Sequence, residues 1–355
     1  MSMPRILICG DLKFAHKELR ELFNNLAEVV TLSSSIRSRA DFLIEFEAGG
    51  KFAGTVGIYR RNISKERIGI FDKELIKALT TAGVRWIAQN GAGYDEIDVA
   101  ECKLRGIGLS NTPRVVDDAT ATAALYLIIS CLRHFSLAER SLQLSQWKTL
   151  VSPGMAHDVT NRTLCILGLG GIGLRLAHLA HAFPMRIFYH SRTPPATPSP
   201  DCASALTSTS MSLGSAIPPW CTYVPSVKEL CELADVLSIH VPLVPETIGL
   251  VGKAEISAMK KGSVLINTAR GKVVDENAMI DALETGHLSS VGLDVFPSEP
   301  SVNPRLLAFP QAVLLPHIGG ETYETEYERE LCALRNLRDF LRDGRGTNLV
   351  PELRE

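Results

Sequence analysis

The sequence predicts an α/β protein with two doubly wound parallel-sheet domains, and three observations carry that expectation. Short β-branched apolar runs alternate with longer stretches of 3.6-residue periodicity, the pattern of strands separated by helices. The alternation occurs as two series, divided by one long helical stretch. The length of 355 residues also suits two domains at roughly 150 residues each.

In the first series the candidate strands are Arg5 to Cys9, Val29 to Leu32, Thr55 to Tyr59, Val84 to Ala88 and Gly108 to Ser110. Helical patterns near Lys17 to Leu26, Asp72 to Ala82 and Asp98 to Arg105 separate them. Such alternation implies a parallel sheet covered by helices, because parallel neighbours need a crossover connection. The second series has strands at Thr163 to Leu167, Arg186 to Tyr189, Asp235 to Ile239, Ser263 to Asn267, Val291 to Asp294 and Val313 to Leu315. A helical pattern from Asp118 to about Leu144 lies between the series, and another from about Glu324 to Asp343 closes the chain. Both are expected to link or brace the domains. From Thr193 to Pro225 the pattern breaks into Pro, Ser, Thr and Ala, with seven of the 19 prolines, which predicts a surface loop with little regular structure.

Composition narrows the function classes. With 45% hydrophobic and 21% charged residues and a mean hydropathy of +0.10, there is apolar material for packed cores, and global disorder is excluded. Lys plus Arg number 37 against 39 Asp plus Glu, a net charge of -2, so no field steers nucleic acid or an anionic membrane, and the expected partner is a small molecule. The apolar run near Met1 is too short for a signal-peptide core, and the longest apolar stretch, about Ala119 to Leu132, falls short of the roughly 20 residues that span a bilayer. Neither export nor a membrane span is expected, and the location is expected to be cytoplasmic. The eight cysteines lie scattered without a C-x-x-C pair, as reduced core thiols would, and no metal site is expected.

Gly168-Leu-Gly170-Gly171-Ile172-Gly173 follows the apolar strand Thr163 to Leu167 and opens the helical pattern Ile172 to Ala182. That is the context a dinucleotide-binding G-x-G-x-x-G turn requires. Gly168 permits the tight turn, Gly170 lets a pyrophosphate approach the backbone, and Gly173 lets the helix pack on the sheet. The phosphates would then meet helix N–H groups near Gly171 and Ile172. At the end of the next strand, Tyr189-His190-Ser191-Arg192-Thr193 lacks the acid that an NAD enzyme usually carries roughly 20 residues past the turn. Ser191 and Arg192 can instead hold the 2′-phosphate of NADP, so NADP(H) is the expected preference, with NAD(H) possible. An exposed Arg at a strand end is the other reading of Arg192.

Three further strings lie at or just beyond the carboxyl ends of predicted strands: Ile266-Asn-Thr268-Ala269-Arg270-Gly271, Gly292-Leu-Asp294-Val-Phe-Pro-Ser-Glu299-Pro300 and Pro316-His317-Ile-Gly-Gly320. Together with the glycine turn and Asn90-Gly91-Ala92-Gly93-Tyr94-Asp95, they closely resemble the D-isomer-specific 2-hydroxyacid dehydrogenases over nearly the whole chain, the Pro-rich loop excepted. The resemblance implies a flavodoxin-like substrate domain and a Rossmann NAD(P)-binding domain. It also implies an Arg, an acid and a His as the active site, here Arg270, Glu299 and His317. The chemistry suits those residue types. A 2-keto acid needs its carboxylate held and its carbonyl polarised, and Arg offers a permanently charged planar fork. His titrates near neutrality, and a carboxylate beside it orients the ring and stabilises the imidazolium. Taken singly, each has a plainer reading: a turn residue, a surface ion pair or a solvated acid.

By the same resemblance, Asn90, Gly91, Ala92 and Gly93, with Arg270, bind substrate, the backbone N–H groups around Ala92 and Gly93 meeting its carboxylate. Asp294 meets the nicotinamide carboxamide, although an Asp ending a strand is also a common cap. Thr120 lies near the cofactor phosphates, His240, Val241 and Pro242 line the adenine side, and Thr268 and Ala269 the nicotinamide side. The substrate domain is expected at 1–112 plus 319–355 and the cofactor domain at 113–318, with the active site in the cleft between them. The expected reaction is NADPH-dependent reduction of a small 2-keto acid, of glyoxylate or hydroxypyruvate type, to the D-2-hydroxy acid. The helical pattern after Asp118 resembles the family's dimerisation element and implies a homodimer. An NAD-dependent phosphoglycerate-type or formate-type dehydrogenase is disfavoured by the missing acid at His190 to Thr193. A dinucleotide-sensing corepressor or binding protein on the same scaffold is the alternative outside catalysis.

Overall fold

The computed structural model describes residues 3–147, 150–192 and 217–354. The chain divides into two compact units, one of Met1–Val116 with Thr322–Glu355 and one of Asp117–Glu321.

Unit 1 is a five-stranded, wholly parallel sheet in the order β2-β1-β3-β4-β5. The strands are β1 (Arg5–Cys9), β2 (Glu28–Thr31), β3 (Thr55–Arg61), β4 (Trp86–Asn90) and β5 (Gly108–Ser110). Helices α1 (His16–Phe23), α2 (Arg39–Ile44), α3 (Lys65–Ile68), α4 (Lys73–Thr81) and α5 (Val99–Arg105) come from the first segment, and α13 (Tyr323–Asp343) from the last. Alternation along β1 builds both faces. Ile6 and Ile8 pack with Phe23 of α1 and with Leu334 and Leu337 of α13, while Leu7 and Cys9 pack with Phe42 of α2 and Leu75 of α4. Asp72 and Asp98 are caps, not helical residues, accepting the N–H of Leu75 and of Glu101. The fourth strand begins two residues later than expected. Val84 N–H bonds to Leu79 O to close the end of α4, and sheet pairing starts at Trp86.

Unit 2 is a seven-stranded parallel sheet in the order β12-β11-β10-β9-β6-β7-β8. Its strands are β6 (Thr163–Leu167), β7 (Arg186–His190), β8 (Cys221–Tyr223), β9 (Val236–Ile239), β10 (Ser263–Asn267), β11 (Leu288–Leu293) and β12 (Val313–Leu314). On one face Leu164 and Ile166 pack with α6 (Asp117–Arg133) and α8 (Gly171–His181). On the other, Cys165 and Leu167 share a core with α9 (Val227–Leu233), α10 (Lys253–Ala258), α11 (Glu276–Glu284) and Leu306 of the short α12 (Pro304–Leu307). The order reverses at β6/β9, the switch point where such sheets leave a crevice.

Two expectations are corrected here. The helical pattern expected to run unbroken from Asp118 to about Leu144 is two helices, α6 and α7 (Phe135–Gln143), bent by 71°. His134 between them takes a left-handed φ of 51°, and the Ser130 hydroxyl receives the N–H of Ser136 in place of a helical carbonyl. No single helix among the described residues is long and apolar enough to cross a membrane. Second, the stretch expected to be irregular from Thr193 to Pro225 contains β8, which pairs with β7. Residues 193–216 of it lie outside the described residues.

Candidate functional site

The glycine turn sits between β6 and α8 and has the geometry a pyrophosphate needs. Gly168 has φ 96°, and a Cβ there would meet the backbone of His240 and the side chain of Val241. A Cβ on Gly173 would come within 2.3 Å of Gly168 O, so only glycine allows α8 to approach this closely. Gly170 faces open space, and the first turn of α8 begins at Gly171 and Ile172. These residues fit a dinucleotide: a backbone that can be approached, and helix N–H groups to meet its phosphates. Thr120 is buried on the first turn of α6, and the Asp117 carboxylate lies against Gly171.

The next strands carry the remaining cofactor candidates at their carboxyl ends. Ser191 Oγ accepts the N–H of Leu169, tying the end of β7 to the glycine turn, and Arg192 is exposed. After β9, His240 Nε2 lies 2.8 Å from Ser238 Oγ and its Nδ1 lies 3.5 Å from Thr268 Oγ1. Burial pushes the His240 pKa down to about 3, so this imidazole is neutral. Val241 is half-buried and Pro242 exposed. The contact to Thr268 joins residues assigned to the adenine and nicotinamide sides.

Arg270, Glu299 and His317 follow three adjacent strands, β10, β11 and β12. Asn267 shapes the first turn: its Oδ1 accepts the N–H of Ala269 and its Nδ2 donates to Arg270 O. A Cβ on Gly271 would lie 2.0 Å from the Phe296 carbonyl carbon, so the missing side chain lets the Arg270 turn sit against the Glu299 loop. Glu299 Oε1 accepts the N–H of Phe296, and its Oε2 lies 2.7 Å from His317 Nδ1. Burial opposes ionisation of Glu299, but the bonds to His317 and Phe296 and the charge of Arg270 outweigh it and hold the carboxyl below its ordinary range. His317 is exposed and has a left-handed φ of 57°, a conformation that histidine tolerates better than most residues. The two N–H groups that follow hold it there: Ile318 and Gly319 each donate to an Asp294 oxygen at 2.8 Å. Burial raises the Asp294 carboxyl above its ordinary range despite those bonds. Both of its oxygens therefore serve the His317 turn, a task the sequence reading did not assign to it.

This geometry can serve as the end of a proton relay, because Glu299 engages Nδ1 and leaves Nε2 for another partner. A carboxylate bonded to one ring nitrogen fixes the plane in which the other can meet a partner. Replacing Glu299 by Leu should therefore lower kcat/KM by about tenfold or more, because the ring loses the oxygen that orients it. Unchanged kcat/KM would show that Glu299 does not position the ring.

Asn90 to Gly93 lie in unit 1 at the end of β4. Asn90 is buried and its Nδ2 donates to the Tyr59 hydroxyl at 2.5 Å, while among the described residues its Oδ1 has no hydrogen-bond partner. Asn90 thus supports the loop from below. Three carbonyls of the loop are held from the same unit: Gly91 O by Thr112 N–H, Ala92 O by Asn111 Nδ2 and Gly93 O by Gln89 Nε2. Sequence reasoning singled out neither Asn111 nor the tasks of Asn267 and Gly271. The last two stood inside a motif, whereas Asn111 had no local signal.

The family model for the NAD binding domain of D-isomer specific 2-hydroxyacid dehydrogenases matches residues 125–319. The 4-methyl-2-oxopentanoate reductase A of Aspergillus oryzae is 38% identical over 351 residues, 99% of this chain and 98% of that protein. A glyoxylate reductase structure from Paecilomyes thermophila covers 100% of both chains with a TM-score of 0.88 and 37% identity. An NADPH-dependent glyoxylate/hydroxypyruvate reductase of Sinorhizobium meliloti, solved with NADP and malonate, has a TM-score of 0.79 and 29% identity, covering 99% of this chain and 98% of that one.

Proposed function

The chain belongs to the D-isomer-specific 2-hydroxyacid dehydrogenases, and from that premise we propose that it reduces a small 2-keto acid of glyoxylate or hydroxypyruvate type to the D-2-hydroxy acid, with NADPH as the preferred cofactor. It is an NAD(P)-dependent oxidoreductase, and its relatives act on 2-oxo acids. The observation that carries the finer reading is the Glu299–His317 contact of 2.7 Å on strands adjoining the Arg270 turn.

In this reading the glycine turn and the first turn of α8 hold the pyrophosphate, Ser191 and Arg192 the 2′-phosphate, and Thr268 and Ala269 flank the nicotinamide. A nicotinamide bound there would supply the hydride for the substrate carbonyl. Arg270 binds the substrate with its fork and polarises the carbonyl, stabilising the negative charge that gathers on oxygen. His317 gives its proton to that oxygen, and Glu299 stabilises the imidazolium beforehand and orients it throughout. The N–H groups of Ala92 and Gly93 bind the substrate carboxylate.

The cofactor preference rests on Arg192 standing where a ribose-binding acid would otherwise repel a phosphate. A steady-state screen of 2-keto acids with NADPH and NADH in parallel tests it together with substrate size. Arg192→Ala should raise KM for NADPH by about tenfold or more and leave NADH kinetics nearly unchanged. Equal or better kcat/KM with NADH in the wild type, or unchanged NADPH kinetics in the variant, would overturn the preference.

A further inference from the structure

We propose that Asn111 is a positioning residue for substrate binding, aiming the Gly93 N–H, and that the C-terminal helix and tail hold Asn111 in register through Asn336 and Asn348. The inference rests on the reading that the Ala92 and Gly93 N–H groups bind the substrate carboxylate.

Across a trans peptide the C=O and the following N–H point in opposite directions, so fixing one aims the other. Thr112 N–H holds Gly91 O at 3.1 Å and thereby aims the Ala92 N–H. Asn111 Nδ2 holds Ala92 O at 2.8 Å and thereby aims the Gly93 N–H. Of these two anchors, the first is backbone and survives any side-chain change. The second is a single amide side chain reaching 19 residues back along the sequence.

That side chain can aim a peptide only if its own backbone is fixed, and both of its backbone groups are held by the last segment of the chain. Asn336, on α13 and fully buried, donates from Nδ2 to Asn111 O at 2.9 Å. Asn348 O accepts the Asn111 N–H at 3.3 Å. The two asparagines also bind each other, Asn348 Nδ2 donating to Asn336 Oδ1 at 2.8 Å, and the Thr347 hydroxyl donates to the same oxygen at 2.9 Å. Asn348 takes a left-handed φ of 55°, which asparagine accepts at little cost. The tail then continues along β5, with Val350 N–H on Leu109 O, and reaches the loop again where Glu352 accepts the Tyr94 hydroxyl at 3.0 Å. A buried asparagine with its donor and acceptor both engaged is what specifies one backbone arrangement over nearby alternatives.

An anchor that aims a binding N–H acts on substrate affinity and spares hydride transfer, so the test is a split between KM and kcat. With glyoxylate as substrate, Asn111→Ala should raise KM by about tenfold or more and change kcat by less than about threefold, with the NADPH Kd unchanged. Asn348→Gly, which keeps the left-handed backbone but loses the side chain, should raise KM in the same direction by less. It serves if Asn111→Ala fails to fold. Ala92→Pro, which deletes an N–H that Asn111 does not aim, tests the underlying reading separately. A raised KM in Ala92→Pro with unchanged KM in the anchor variants would leave carboxylate binding standing and overturn the anchor. An unchanged KM in Ala92→Pro would overturn the reading and the anchor with it. A fall in Tm in the anchor variants with KM for glyoxylate unchanged would reduce Asn111 to a structural residue.

Discussion

Replacing His317 by Ala should lower kcat/KM for 2-keto acid reduction by about 10²- to 10⁴-fold, the usual worth of a general acid, while NADPH binds as before. The expectation follows from placement. His317 stands on its own turn beyond β12, fixed from one side by Glu299 at 2.7 Å and from the other by the two N–H groups that Asp294 receives. Nothing in that arrangement belongs to the phosphate turn between β6 and α8, so cofactor affinity should not follow activity. The check is a pair of measurements on one preparation: steady-state reduction, and NADPH binding by fluorescence titration. Near-normal turnover would remove His317 from the chemistry. A parallel loss of NADPH binding would mean that the substitution had disturbed the unit as a whole.

Arg270→Ala should cost about 10²- to 10³-fold or more in kcat/KM, the scale seen when a donor to a developing oxyanion is removed. Two effects combine in it. The substrate loses a charge-assisted, two-pronged partner, and the carbonyl loses the cation that draws electron density toward oxygen as hydride arrives. Arg270 also lowers the Glu299 carboxyl, so its removal weakens the anion that supports His317. Arg270→Lys separates these contributions. It restores charge without the planar fork, and should recover only part of the loss, because an ammonium cannot hold a carboxylate bidentately. Full activity in Arg270→Lys would assign the residue a purely electrostatic task, and full activity in Arg270→Ala would exclude it from the site.

The candidate site could be proposed from the sequence because its parts are short strings at strand ends. A glycine turn states its own requirements locally, and Gly168 and Gly173 meet the close contacts that their positions imply. Arg270, Glu299 and His317 came from the resemblance of their strings to the family's, and each of them ends or follows a strand in a parallel series. What stayed hidden was contact between distant segments. Asp294 could be placed at a strand end, but not the engagement of both its oxygens by residues 318 and 319. Asn111 meets Asn336 and Asn348 more than 220 residues on, and no periodicity reports that. The bend at His134 was missed because it lacks Gly or Pro; a serine hydroxyl and one left-handed residue make it instead. Strand β8 was missed because three residues in a Pro-rich stretch are too few to show alternation.

Arg270, Glu299 and His317 are proposed to promote reduction of a 2-keto acid to the D-2-hydroxy acid by NADPH. The measurement that tests it most directly is the chirality of the product formed from hydroxypyruvate and NADPH by the wild-type chain, with His317→Ala run alongside. D-glycerate formed as NADPH is consumed, and its near absence with His317→Ala, is the predicted result. L-glycerate, or no NADPH consumption with any small 2-keto acid, would contradict it.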